Sequence, residues 1–421
     1  MAVPILTAVS GAPWEAQLVS ALDKAPGGLQ VVRRCVDLAD LLAAAAAGHG
    51  RAVVVSADLR LLDREAVGRL SASGVATVGV VPDGDEESER RLRQLGIDHV
   101  VTAAADASDI AHAVHTAISR LAGTGPMPVV WTPDDAGSAR VAAGRLIAVW
   151  GPTGAPGRTT VAVNLAAEFA VLGKATLLVD VDTYGGAVAQ ALALLDEAPG
   201  IAGAARAANQ GLLDLPALAR HARQLNGSRL RVLTGISRTE RWPEIRPSSL
   251  EVVWNLARGL AEITVADCAF CLEPDDEVGF DTSAPRRNGA TIATLGQADV
   301  VLAVGSAEPI GMQRLVRGLA ELAERVPAAD VRVVVNRVRE SVVGPYPERQ
   351  VREALRRYAG AHRVAVIPND PAGADAAMAS GRVLAEAAPK SPARLAVTRL
   401  AAELAGMDAP ARPRRWKVLT R

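Results

Sequence analysis

Ten residues, Gly151-Pro152-Thr153-Gly154-Ala155-Pro156-Gly157-Arg158-Thr159-Thr160, follow the apolar run Arg145 to Trp150 and precede an apolar helical stretch that ends at Leu172. A buried strand, a glycine-rich turn and a helix start in that order can hold a nucleotide phosphate. Glycines let backbone N–H groups close around phosphate oxygens, the helix dipole adds partial positive charge, and the Thr159 hydroxyl can ligand Mg²⁺. Against the phosphate-loop pattern G-x-x-x-x-G-K-[ST], Gly157 and Thr159 fit, whereas Pro152 stands at the first glycine and Arg158 at the lysine. Arginine keeps the charge as a longer planar fork, so the loop favours nucleotide binding over fast hydrolysis. The bland alternative is a Gly/Pro turn of the kind that joins strand to helix in any α/β protein.

Two further segments end in acids. Ala175 to Val179 is an apolar strand followed by Asp180-Val-Asp182 and two glycines, Gly185 and Gly186. Open α/β sheets place ligands at such carboxyl ends; an exposed turn is the alternative. Ala261 to Ala266 forms another apolar strand that ends at Asp267, the arrangement of an acid that holds Mg²⁺ through water. Cys268 and Cys271 follow as C-x-x-C, a spacing that could bind metal if two chains each gave a pair, or could be two buried thiols. Arg286 and Arg287 come next and either lend positive charge to phosphate or are solvated and salt-bridged.

The loop helix Thr160-Val-Ala-Val-Asn164-Leu-Ala-Ala-Glu168 resembles that of the ParA/MinD family of dimerising ATPases, whose loop reads K-G-G-x-G-K-[ST]-T; Thr153 stands at that family's signature lysine. The resemblance continues in order through Val179-Asp180-Val-Asp182, Ala298 to Val304, Arg332 to Val338, Ile367-Pro368-Asn369-Asp370 and Ala379 to Leu384, spanning about 146 to 405. It implies ATP and Mg²⁺ as ligands. It makes Gly154, Ala155, Pro156, Gly157, Arg158, Thr159 and Thr160 the phosphate loop, and puts Thr159, Asp180 and Asp267 at the metal. It also implies that Asp182 positions the attacking water and that Asn336 and Pro368 lie at the base. Slow ATP hydrolysis, a homodimer, and protein partners in division or pilus-secretion machinery are further implications. With the N-terminal region described next, the combination resembles the actinobacterial septum-site-determining (Ssd) branch, related to CpaE/TadZ, so the implied role is septum placement or localisation of Tad/Flp pilus machinery.

Residues 3 to about 123 alternate short apolar runs with helical stretches. The strands are read at Pro4 to Val9, Leu29 to Cys35, Ala52 to Ser56, Ala76 to Val81 and Asp98 to Thr102. Five such units predict a doubly wound, flavodoxin-like sheet that resembles a response-regulator receiver. The receiver's acidic cluster, phosphoacceptor and lysine are replaced by Ser10 and Gly11, by Ser56 with Asp58 two residues on, and by Ala103 to Ala105. This describes a pseudo-receiver used for docking. The predicted organisation is therefore a receiver-like domain over 1–123, a linker over 124–144, a doubly wound phosphate-loop domain with a mostly parallel sheet over 145–406, and a basic tail over 407–421.

The chain has 421 residues with 46 basic and 46 acidic side chains. Zero net charge argues against the whole molecule as an electrostatic nucleic-acid binder. Three cysteines make no disulfide framework, and no run approaches the length of a membrane span, so a cytoplasmic protein is expected. The tail, Ala411 to Arg421, sets five basic residues beside Trp416 and two aliphatics, which suits peripheral contact with an anionic membrane or a free soluble tail. Two other functions remain open: a nucleotide-blind scaffold of the same fold, and a metal-cluster carrier built on Cys268 and Cys271.

Overall fold

The computed structural model describes residues 2–9, 15–24, 28–123, 144–154, 157–194, 200–225, 227–273, 285–408 and 416. The Ser10 and Gly11 positions, Ala155, Pro156, the expected linker up to residue 143, and the tail apart from 407, 408 and Trp416 lie outside the described residues. The chain divides into two compact units, one of residues 1–139 with 207–212 and one of 140–206 with 213–421.

Among its described residues the first unit carries five strands: β1 (Val3–Ala8), β2 (Leu29–Arg34), β3 (Ala52–Ser56), β4 (Ala76–Val81) and β5 (His99–Thr102). All pair in parallel in the order β2-β1-β3-β4-β5, the flavodoxin-like arrangement expected from the alternation. Because side chains alternate across a strand, Leu6, Val53 and Val55 enter a core under the helices Leu38–Ala46, Arg64–Ala72 and Glu86–Gln94. Ile5, Val54 and Val78 enter another, shared with Leu18, Leu22, Ile110 and Val114. Burial on both faces explains why β3 reads as an unbroken apolar run. Three of the helices begin on an aspartate, Asp37, Asp63 and Asp85, whose carboxylate accepts a first-turn N–H at 2.8 to 3.0 Å.

Among its described residues the second unit holds eight strands: β6 (Arg145–Trp150), β7 (Thr176–Val181), β8 (Arg223–Gln224), β9 (Leu230–Leu233), β10 (Ile263–Cys268), β11 (Val300–Ser306), β12 (Val331–Val338) and β13 (Val364–Pro368). Their order is β13-β12-β11-β6-β10-β7-β9-β8, parallel except for the antiparallel β8–β9 pair at one edge. The chain leaves β6 toward β7 on one side and later enters β11 on the other, so the strand order reverses at β6. Open α/β sheets bind ligands in the crevice at such a point.

The helix Arg158–Val171 crosses the sheet and is buried almost all round, which is why its sequence is apolar without a polar stripe. Two buried polar residues set its rotation. Asn164 donates to the Thr160 carbonyl at 2.8 Å and accepts the Leu384 N–H at 2.7 Å. Glu168 accepts from Arg394 of the helix Pro392–Leu404 at 2.7 Å, both side chains being 1% exposed. Arg394 also donates to the Pro389 carbonyl. Removing one member of such a pair leaves an uncompensated buried charge, which costs about 3–5 kcal/mol. Trp416, part of the tail expected to touch a membrane or stay free in solution, is 8% exposed and packed into this same core. No helix among the described residues is long and apolar enough to cross a membrane.

Arg394→Ala is expected to lower the denaturant midpoint of the intact chain by a stability loss of about 3–5 kcal/mol. Glu168→Leu with Arg394→Met is expected to recover most of it. Unfolding curves in urea check both, and a single mutant as stable as the wild type would refute the anchoring role of this pair.

Candidate functional site

The loop between β6 and the helix Arg158–Val171 turns on two glycines in left-handed backbone, Gly154 at φ +69° and Gly157 at φ +93°. Side chains rarely adopt these angles, which accounts for glycine at both positions. Gly157 is the helix N-cap and, having no side chain, gives the first-turn N–H groups no capping oxygen of its own. These are the donors a helix start offers to an anion.

Thr159 and Asp267 come together as the spacing predicts: the Thr159 hydroxyl donates to Asp267 Oδ2 at 2.6 Å. Asp267 Oδ1 is buried and has no hydrogen-bond partner among the described residues. Asp267 and Asp180 are register partners across the parallel β10–β7 pair. Burial pushes both carboxyl groups up, and the charge of neighbouring acids pushes them further; Asp180 is raised to about 7.

Asp180 and Asp182 differ in what they touch. Asp180 accepts the Asp182 N–H and the Val188 N–H, both at 3.1 Å. A Cβ on Gly235 or Gly186 would lie 2.6 or 2.8 Å from the Asp180 carboxylate, so both positions need glycine for close approach. Asp182 uses Oδ1 to accept the N–H groups of Tyr184 and Gly185, and its Oδ2 faces the Arg158 guanidinium at 3.5 Å. Arg158 also donates to the Gly151 carbonyl at 3.0 Å and lies 5.8 Å from the Phe270 ring centroid. Three carboxylates therefore gather at the ends of β7 and β10 with Arg158 beside them.

At the other flank of the loop, Asn336 Nδ2 fills the space that a Cβ at Gly157 would need, and its Oδ1 accepts the Arg337 N–H at 2.9 Å. The β12–β13 register shifts between Val335 and Val338, and Arg337 sits at φ +54°. A non-glycine residue held there stores backbone strain. Asn336, Pro368, Thr160, Ile367 and Asn369 line a cavity of about 460 Å³. The expected base residues thus share one crevice with the helix start.

The remaining candidates lie as follows. Cys268 is fully buried and Cys271 partly so. Among the described residues no three His, Cys, Asp or Glu side chains are placed to hold one metal ion. Arg286 is exposed, while Arg287 stacks 3.8 Å from the Tyr184 ring centroid and donates to the Thr183 carbonyl, so it braces the turn after Asp182. In the first unit Ser56 donates to the exposed Asp58.

Sequence reading passed over Arg314. It lies on the helix Pro309–Arg325, and its guanidinium occupies the place a Cβ at Gly154 would take. An arginine one turn before a helical glycine, in the helix after a buried strand, was the available signal.

Residues 147–381, more than half of the chain, match the family described as the CobQ/CobB/MinD/ParA nucleotide binding domain. Among solved structures, a ParA family ATPase from Chlorobium tepidum TLS is 16% identical, with a TM-score of 0.51, over 62% of this chain and 99% of that one. The septum site-determining protein MinD complexed with Mg-ADP from Pyrococcus horikoshii OT3 is 19% identical, with a TM-score of 0.49, over 62% and 95%. The cell division ATPase MinD from Pyrococcus furiosus is 20% identical, with a TM-score of 0.49, over 62% and 99%. At 16% identity the likeness to the Chlorobium tepidum structure is one of fold. No curated protein sequence matches the chain. The extent of the family match, on a sheet that brings Thr159 to Asp267, makes this chain a member of the CobQ/CobB/MinD/ParA nucleotide binding domain family.

Proposed function

We propose that the chain is a positional switch that binds ATP with Mg²⁺ in the crevice formed by β6, β7 and β10. The observation that carries this reading is the Thr159–Asp267 hydrogen bond beside an uncapped helix start. Phosphate oxygens would rest on the N–H groups of Gly157, Arg158, Thr159 and Thr160, with Gly154, Ala155 and Pro156 shaping the loop. Asn336 and Pro368 would border the base in the 460 Å³ cavity.

The residues present fit Mg²⁺. A hydroxyl and an orphaned, buried carboxylate oxygen are hard donors, and Mg²⁺ is commonly held by one or two such protein groups together with substrate phosphates and water. Thr159 would hold it directly and Asp267 through water, with Asp180 in the surrounding shell. When bound, the ion neutralises phosphate charge and draws electrons from the terminal phosphoryl group. Asp182 would orient the attacking water in a slow hydrolysis. Its Oδ1 is fixed by two backbone N–H groups, so only Oδ2, now facing Arg158, can turn to that task.

By this reading ATP favours a homodimer and binding of protein partners at a division site or in Tad/Flp pilus machinery, in the cytoplasm or against the inner membrane face. MinD of Aquifex aeolicus is solved as a MinC:MinD cell division protein complex, which supports a protein partner. The five-stranded N-terminal region serves as a pseudo-receiver for docking, since Ser56 and the exposed Asp58 replace a buried phosphoacceptor site. A nucleotide-blind adaptor is the second reading; the observation that favours it is that Arg158 already contacts Asp182 and the Gly151 carbonyl.

Thr159→Ala is expected to abolish the gain in ATP affinity that Mg²⁺ confers, about tenfold or more, with affinity in EDTA within twofold of wild type. Titration calorimetry with and without Mg²⁺ reads this, and an intact Mg²⁺ effect would remove Thr159 from the metal. Asn336→Ala is expected to narrow the preference for ATP over GTP by up to about tenfold, the worth of one neutral hydrogen bond. Competition binding measures that ratio, and an unchanged ratio would take Asn336 away from the base.

A further inference from the structure

The loop lacks an ammonium at both positions where its pattern calls for one, yet a triphosphate brings about four negative charges into a site already holding three acids. The cations within reach decide whether that is tolerable. Arg158 donates to the Gly151 carbonyl and faces Asp182, so its fork is partly satisfied inside the protein. Arg314 differs: it is exposed and makes no hydrogen bond or ion pair among the described residues, although its guanidinium lies over Gly154.

Packing delivers it there. Gly318 lies one helical turn after Arg314, on the same face of the helix Pro309–Arg325. A Cβ at Gly318 would meet Pro152 Cβ at 3.0 Å and the edge of the Trp150 ring at 3.1 Å. The helix is therefore seated directly on the start of the loop, and Trp150 is anchored in turn by donating to the Phe270 carbonyl at 3.1 Å. Proline at the first glycine position thus forms part of the seat that holds Arg314 over the loop.

The position along the loop assigns the phosphate. Asn336, which lines the base cavity, packs against Gly157 at the helix start, whereas Gly154 stands three residues earlier in the loop and does not line that cavity. A phosphate chain running from one to the other brings its terminal group to Gly154. We propose that Arg314 binds the terminal phosphate of a nucleoside triphosphate from within the same chain, in place of the ammonium missing at Thr153. This inference rests on the proposed triphosphate site. It makes Arg314 a selector of the triphosphate over the diphosphate. A guanidinium suits the task because its fork can engage two phosphate oxygens at once.

The test is calorimetric titration of the full chain with ATP and with ADP, each with Mg²⁺, for wild type, Arg314→Ala and Arg314→Lys. Arg314→Ala is expected to weaken ATP at least tenfold and ADP by less than twofold, with Arg314→Lys in between and the thermal midpoint of the unliganded proteins unchanged. Wild-type ATP affinity in Arg314→Ala, or equal loss of ATP and ADP, overturns the assignment while leaving the nucleotide site standing. No binding of either nucleotide by wild type overturns the site and the assignment together. Gly318→Ala, with Arg314 intact, is expected to reproduce part of the selective loss because the helix must lift from Pro152; unaltered ATP affinity there would refute the seating.

Discussion

The unit that holds the crevice is arranged around one electrostatic constraint: Asp180, Asp182 and Asp267 are buried together at the carboxyl ends of two neighbouring strands. Burying a charge is costly unless it is paired or hydrogen-bonded, and like charges raise the cost. Each acid answers this differently. Asp180 spends its oxygens on two backbone N–H groups under Gly186 and Gly235. Asp182 divides its oxygens between a turn and Arg158. Asp267 satisfies one oxygen with Thr159 and leaves the other without a partner among the described residues. A site left with surplus buried negative charge is one that a divalent cation would stabilise.

A helix that carries phosphate donors must be held at a fixed rotation, because its first N–H groups point along a single direction. Apolar packing alone lets a helix slide and turn by small amounts. The Asn164–Leu384 hydrogen bond and the Glu168–Arg394 pair specify the rotation through directed bonds to segments more than two hundred residues away. Burial pushes the Glu168 carboxyl up despite Arg394, so this pair contributes more to uniqueness of placement than to stability. The same C-terminal segment borders the base cavity through Leu384. Loop, base cavity and C-terminal helix are thus one mechanical assembly.

Short apolar runs alternating with helical stretches made the N-terminal sheet readable: Ala52–Ser56 and Ala76–Val81 appear at the predicted bounds, and the strand order is the flavodoxin-like one expected. In the second unit, residues close in sequence to the glycine turn or at strand ends were legible, because chain direction alone fixes where a strand ends. Thr159 reaching Asp267 follows from that rule. Arg314, Gly235 and Trp416 were not legible. Their roles depend on which distant elements pack together, and a solitary arginine, glycine or tail tryptophan looks the same in sequence whether it faces solvent or a site. The C-x-x-C pair shows the converse, since a suggestive spacing placed Cys268 in the buried end of β10, beside Asp267.

The most direct test of the central claim is electron density from crystals of the full chain grown with ATP analogue and Mg²⁺. The predicted density shows phosphates against the N–H groups of Gly157 to Thr160, an ion on the Thr159 and Asp267 side of the site, and the base beside Asn336 and Pro368. A crevice without nucleotide at saturating concentration, or a nucleotide bound away from that helix start, would contradict it.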